Sequence, residues 1–294
     1  MLKHTSFLLC AGLLLGISAI ATSDDAPTSH EGAETHVFAE RPEGKLYIHV
    51  VKPKGWTKTD KRPGWIHFYG GGWVRGDTSK SIGWARSASK KGFVGFAPDY
   101  RVNKRHGTKP HQSVADARAA LRWVQEHAEE FGIDPERIVI SGNSAGGHVA
   151  LWTAIEHAPP GSSPDESPLF KPSGLILSSP VADTSFLKGY RPKLIGENPE
   201  ELSPVHQLDE KMPPILLLHG TADKSVPYQQ AVDLNAKMVE SGNEIMFITI
   251  EDGEHNFRGQ FPEWKQKTRD YMKEFTAKYN LDPQKKKTET KKKE

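Results

Sequence analysis

From residue 45 onward, short apolar runs alternate with longer stretches in which apolar residues recur every three or four positions. The runs 45–53, 64–70, 92–101, 137–142, 174–180, 214–220 and 245–253 carry strand signals. "KLYIHVVKP" alternates like a half-buried strand, whereas "GFVGFAPDYR" is continuously apolar, as a strand covered on both faces should be. Between them, 111–132 sets Val114, Ala117, Leu121, Val124 and Ala128 on one helical face. Residues 144–157, 228–241 and 263–279 are helical as well. Strands alternating with helices predict an α/β fold, with a mostly parallel twisted sheet of about eight strands and helices on both faces.

Two stretches break the rhythm: 158–174, rich in Pro, Ser and Gly, and the long irregular 182–208. Both are expected to follow carboxyl ends of strands, where ligands sit in open parallel sheets, and so to cover a pocket. Phe186, Leu187, Tyr190 and Leu194 either line that pocket or pack the loop down.

The two ends differ in kind from the body. Lys3, the apolar run from Phe7 to Ile20 and Ala19-Ile20-Ala21 have the form of a secretory signal over 1–21. A secreted or periplasmic protein is expected, without stable membrane insertion after cleavage. Residues 22–40 read as a loose leader, 41–281 as the folded domain and 282–294 as a lysine-rich disordered tail. The last ten residues hold six lysines and two glutamates, so the chain's net charge of +2 belongs to the tail and the body is slightly acidic. No basic stripe with interleaved aromatics runs through the body, and no nucleic-acid partner is expected. Cys10, the single cysteine, falls within the signal, which excludes disulfides, thiolate catalysis and cysteine-based zinc sites from the mature chain. No metal site or cofactor is predicted. The oligomeric state is not legible in the sequence.

The chemistry concentrates at "SGNSAGG", 141–147, which lies between an apolar run and a helical one. A G-x-S-x-G turn from strand to helix is a nucleophile elbow. Its glycines admit close backbone approach while the serine is held out over a helix N-terminus. Ser144 is the candidate nucleophile. A serine hydroxyl needs a base, and the base an orienter. In the chain order this architecture uses, Asp223 of "HGTADKSVP" follows one strand and His255 of "GEHNF" follows the next. Asp223 is assigned as orienter and His255 as general base and then acid. His219, at a strand end, reads as structural, and Asp252 and Glu254 as acids that point elsewhere. An oxyanion needs fixed donors. Ala145 N–H is one, and the glycines of "YGGGW" supply the others, with Gly71 and Gly72 favoured. Trp73 and Tyr69 flank that loop as candidate substrate contacts.

The segments "YGGGW", "PDYR" (98–101), "DPERI" (134–138), "GNSAGG", "SPV" (203–205), "HGTADKSVP" and "GEHNF" resemble the α/β-hydrolase superfamily over roughly residues 40–280. The branch they resemble is that of carboxylesterases near hormone-sensitive lipase and bacterial feruloyl/acetyl-xylan esterase-like proteins. The resemblance implies a serine esterase acting through an acyl-enzyme on short-acyl, small-molecule or polysaccharide-linked esters. One departure is informative: the glycine run is usually preceded by His, and here by Tyr69. His67, two residues earlier, is a candidate substitute for that brace. Two alternatives stand beside the esterase. One is a small exported peptidase of prolyl-oligopeptidase type, whose N-terminal propeller the short leader leaves no room for. The other is a catalytically silent binding module of the same fold.

Overall fold

The computed structural model describes residues 26–159, 167–185, 192–196 and 198–283. The signal 1–21, the tail from 284 and the side chains of Phe186, Leu187 and Tyr190 lie outside them. Eight strands form one sheet: β1 (Glu34–Arg41), β2 (Gly44–Val51), β3 (Arg62–Phe68), β4 (Val94–Pro98), β5 (Ile133–Asn143), β6 (Gly174–Ser178), β7 (Ile215–Gly220) and β8 (Ile245–Ile250). Among the described residues eight helices accompany them: α1 (Ile82–Lys90), α2 (Asn103–His106), α3 (Pro110–Glu126), α4 (Ala145–Trp152), α5 (Pro192–Ile195), α6 (Gln229–Glu240), α7 (Phe257–Gln260) and α8 (Trp264–Lys278). No helix among the described residues is long and apolar enough to cross a membrane.

The spatial order is β1-β2-β4-β3-β5-β6-β7-β8. β1–β2 and β2–β4 pair antiparallel, and every pairing from β4 through β8 is parallel. The central strands bury both faces. Ile66, Phe68, Ile140, Leu175 and Leu217 pack with α3, α4 and α6 on one side, while Trp65, Val139, Ile176 and Leu216 pack with α8 and the end of α1 on the other. That two-sided burial is why these strands read as continuous apolar runs. Arg118 on α3 is fully buried and donates to the carbonyls of Trp152, Ile155 and Glu156. It thereby serves the exposed carbonyl end of α4, where a cation is favoured.

Three expectations change. Residues 34–40 of the supposed leader, with Arg41, form β1, an edge strand in which Phe38 alone is buried. So polar a strand carries no alternation signal. The segment α1 was not anticipated either, its face being built from Ile82, Ala85 and Ala88 among serines. The stretch 158–174 joins α4 to β6 and so arrives at the amino end of a strand, the edge of the sheet opposite the cleft described below. Only 182–208 leaves a strand's carboxyl end, and Leu194 within it is buried.

Candidate active site

The chain runs from β3 outward to β4 and then returns across β3 to β5, so the strand order reverses between β3 and β5. At such a switch point the loops after the two strands diverge to opposite faces and leave a crevice at their carboxyl ends. Gly70–Trp73 follow β3 and Ser144 follows β5, which places them on the two walls of that crevice. The cleft has a volume of about 500 Å³ and is lined by Gly70, Gly71, Gly72, Trp73, Ser144 and His255 together with Val181, Ser225 and Val226.

Ser144 stands at φ 55°, ψ −127°, a conformation a residue with a Cβ adopts only under constraint. The constraint is visible on every side. Ser144 N–H donates to Ser178 O at 3.2 Å, and Ser144 O accepts from His148 N and Val181 N. A Cβ on Gly146 would collide with the carbonyl oxygens of Phe68 and Tyr69, and one on Gly142 with Gly146 O. Bare glycines are what let β5 turn this sharply against β3. Gly70 is pressed against the elbow likewise: a Cβ there would lie 2.6 Å from Asn143 Nδ2 and 3.1 Å from Ser144 Cβ.

The loops after β7 and β8 are joined by their backbones. Thr221 N donates to Ile250 O and Ala222 N to Gly253 O, both at 3.0 Å, and Asp252 N reaches Thr221 Oγ1 at 2.9 Å. This brings His255 Nδ1 to 2.7 Å from Asp223 Oδ2. Asp223 Oδ1 accepts from Ser225 N at 2.8 Å and Val226 N at 2.9 Å. His219, fully buried, donates from Nε2 to Val226 O at 2.9 Å and stands 3.3 Å from Asp223 Oδ2. Burial raises the cost of charge on Asp223, but the hydrogen bonds from His219, His255 and the Val226 amide outweigh it and hold the carboxyl well below the usual range. Facing a carboxylate, His255 Nδ1 carries the proton, which leaves Nε2 basic. Ser144 and His255 share the cleft without a direct hydrogen bond between them, a separation common before substrate binds. Asp252 and Glu254 are solvent-exposed on the His255 loop and do not line the cleft.

The amides of Gly71, Gly72 and Ala145 donate no hydrogen bond among the described residues. Gly72 at φ 62° and Trp73 at φ 57° turn the loop back on itself, and Gly71 O closes the turn by accepting from Val74 N and Arg75 N at 3.2 Å. Trp73 lines the cleft with its ring mostly buried, edge-on to His148 at 4.9 Å.

Tyr69 is not a substrate contact. Its side chain is fully buried and stacked on Tyr100 at 4.3 Å, with its hydroxyl donating to Asp99 Oδ1 at 2.5 Å. Arg105 completes the arrangement, donating to Asp99, to the Tyr69 hydroxyl at 3.1 Å and to Gly76 O at 3.1 Å. Tyr69 thus braces the glycine loop from behind. His67 does not share that task. It points to the opposite face of the sheet, bonds Ser141 Oγ at 2.8 Å and stacks on Trp84. Asp99 and Arg105 were missed as parts of this support; the "PDYR" segment was their one visible trace.

The sequence matches the BD-FAE family over residues 50–161 and 181–238, more than half of the chain, including the glycine loop, Ser144 and Asp223. The chain belongs to the BD-FAE family. A probable isoprenylcysteine alpha-carbonyl methylesterase of Arabidopsis thaliana is 24% identical over 246 residues, 74% of this chain and 50% of the relative. The carboxylesterase NlhH of Mycobacterium tuberculosis is 38% identical over 98 residues, 32% of this chain and 30% of that enzyme. The chain spans about half or less of the length of these curated relatives. Among solved structures, the butyrate-bound form of esterase 2 from Thermogutta terrifontis superimposes with a TM-score of 0.79 at 31% identity, covering 87% of this chain and 97% of that one. The same esterase phosphorylated by paraoxon gives 0.78 at 33% identity, with the same coverage of both chains. Membership of the BD-FAE family and these superpositions establish an α/β-hydrolase fold of the esterase branch.

Proposed function

We propose that the protein is a serine carboxylic-ester hydrolase in which Ser144, His255 and Asp223 form the catalytic triad. The observation that carries this is one cleft holding a serine on a strained elbow, a histidine whose Nδ1–H donates to a buried carboxylate, and three backbone amides without acceptors among the described residues. Ser144 Oγ attacks the ester carbonyl as His255 Nε2 takes its proton, and Asp223 holds the resulting imidazolium in place. The carbonyl oxygen becomes an alkoxide that the amides of Ala145, Gly71 and Gly72 receive. Collapse of the intermediate expels the alcohol, which takes the proton from His255. Water, activated by the same histidine, then releases the acid from Ser144.

The cleft suits short acyl chains, with Trp73 and Val181 as its apolar walls. The solved esterase that binds butyrate supports the same size class. The signal read at 1–21 supports export, and hence an extracytoplasmic ester, small or linked to carbohydrate.

The test is turnover of 4-nitrophenyl acetate by wild type and Ser144→Ala, with paraoxon labelling followed by intact mass. The expected result is turnover and a single phosphoryl adduct on wild type and neither on the folded variant. Equal turnover by both proteins would refute the assignment.

A further inference from the structure

We infer that the preferred ester carries an anionic group on its acyl portion, received by Arg75, Lys80 and Lys104. This rests on the hydrolase assignment above and concerns its substrate class. All three cations line the cleft that holds Ser144, and among the described residues no carboxylate lines it. None of the three side chains has a hydrogen-bond or ion-pair partner among the described residues, although the body around them is slightly acidic. The nearby carboxylates are engaged elsewhere. Asp77 caps a short turn through Ser79 N, Asp99 is held by Arg105 and Tyr69, and Asp223 by its two histidines.

The three cations are exposed, but the backbones that carry them are tied to one another. Arg75 lies in the turn closed by Gly71 O, the same turn that aims the oxyanion amides. Lys80 ends the turn Thr78–Lys80, capped by Asp77. Lys104, on α2, donates its amide to Val74 O at 2.9 Å, and its neighbour Asn103 donates to Trp73 O at 2.8 Å. Three segments distant in sequence are therefore tied into one cationic flank. Unpaired like charges gathered at a cleft repel one another, and an anion seated there relieves that repulsion and is steered toward the serine.

The side of the substrate follows from sheet order. Arg75 and Lys80 follow β3 and Lys104 follows β4, on one flank of Ser144. His255 follows β8, on the other flank. The leaving alcohol takes its proton from His255 and so lies on that second flank. The cationic flank is left to the part of the substrate that stays on Ser144. Half-esters of dicarboxylic acids, or acyl groups bearing a sulfonate, meet this description.

The experiment compares matched pairs on the whole protein, each normalised to its hydroxide-catalysed rate. The acyl pairs are 4-nitrophenyl hemisuccinate against its methyl ester, and 4-nitrophenyl 3-sulfopropanoate against the butyrate. The alcohol pair is 4-acetoxybenzoate against its methyl ester. The expected result is a higher kcat/KM for the charged member of the acyl pairs. That preference should shrink as ionic strength rises from about 0.01 M to about 0.15 M, which shortens the screening length from about 30 Å to about 8 Å. In Lys80→Gln/Lys104→Gln, whose exposed side chains hold no structure together, the charged-to-neutral ratio should fall by roughly three- to tenfold. A preference for carboxylate over sulfonate, or the reverse, identifies which anion the flank accepts. Equal kcat/KM within the acyl pairs, a preference confined to the alcohol pair, or a ratio indifferent to salt and to the double substitution would overturn the inference while neutral-ester turnover left the hydrolase assignment standing. Failure of wild type on every ester would overturn both.

Discussion

Replacing Asp223 by Asn tests the site through a single atom. The carboxylate takes donors at both oxygens: Ser225 N and Val226 N on Oδ1, His255 Nδ1 at 2.7 Å and His219 Nε2 at 3.3 Å on Oδ2. The two backbone amides cannot reverse, so the asparagine carbonyl must face them and its NH2 must take the place of Oδ2. That NH2 then points at His255 Nδ1, which can respond only by giving up its proton and becoming an acceptor. The imidazole proton moves to Nε2, where it cannot accept the proton of Ser144. The side chain keeps its size, so the geometry survives while the tautomer is wrong. In serine proteases that change costs about 10⁴ in kcat, or about 5.5 kcal/mol in the barrier. We expect a comparable loss here with KM changed by less than about threefold. The assay is steady-state hydrolysis of 4-nitrophenyl acetate, with circular dichroism to establish the fold. A folded Asp223→Asn retaining more than about a tenth of wild-type kcat would refute the role given to Asp223, because His255 Nδ1 has no other hydrogen-bond partner among the described residues.

Tyr69→Phe removes a buried hydroxyl that both donates to Asp99 and accepts from Arg105. It should cost about 2 kcal/mol in urea denaturation, and a variant as stable as wild type would mean that the brace carries no load. Gly146→Ala places a methyl against the carbonyl oxygens of Phe68 and Tyr69. Because nothing there can give without parting β3 from α4, a loss of about 3 kcal/mol or more in thermal or chemical unfolding is expected. Burial pushes His67 down to about 3, helped by the charge of Arg258, and pushes His148 down to about 4 against its bond to Leu202 O. Both folded values lie below the unfolded value of about 6.5, so the unfolded chain binds more protons in between, and stability falls as pH drops from about 6.5 toward 4. Between pH 7 and 5 each histidine should remove about 2 kcal/mol, with little dependence from pH 7 to 8. A flat stability profile across that acidic range would rule out their burial as neutral groups.

The parts of the site that were legible in the sequence are those whose signal is local. The glycines around Ser144 are demanded by one turn, and the turn lies between a strand and a helix that each announce themselves. Asp223 and His255 stood out because each follows an apolar run long enough to be a buried strand, and the structure brings them to 2.7 Å. Tyr69 misled because its role depends on where its ring points. That direction is set by Tyr100, Asp99 and Arg105, which come from β4 and beyond. His67, two residues away, is no substitute brace, because its own ring is held by Ser141 and Trp84.

The chain by itself thus determined the layers and the turn that exposes the serine, since each follows from periodicity or from sterics within a few residues. Tertiary structure alone decided which strand ends meet. It drew polar β1 into the sheet because β2 offers it an open edge, and it fastened His255 to Asp223 through the bonds between the β7 and β8 loops. It also gathered Arg75, Lys80 and Lys104 along one wall of the cleft. Those outcomes depend on how distant segments pair, which no window along the sequence contains.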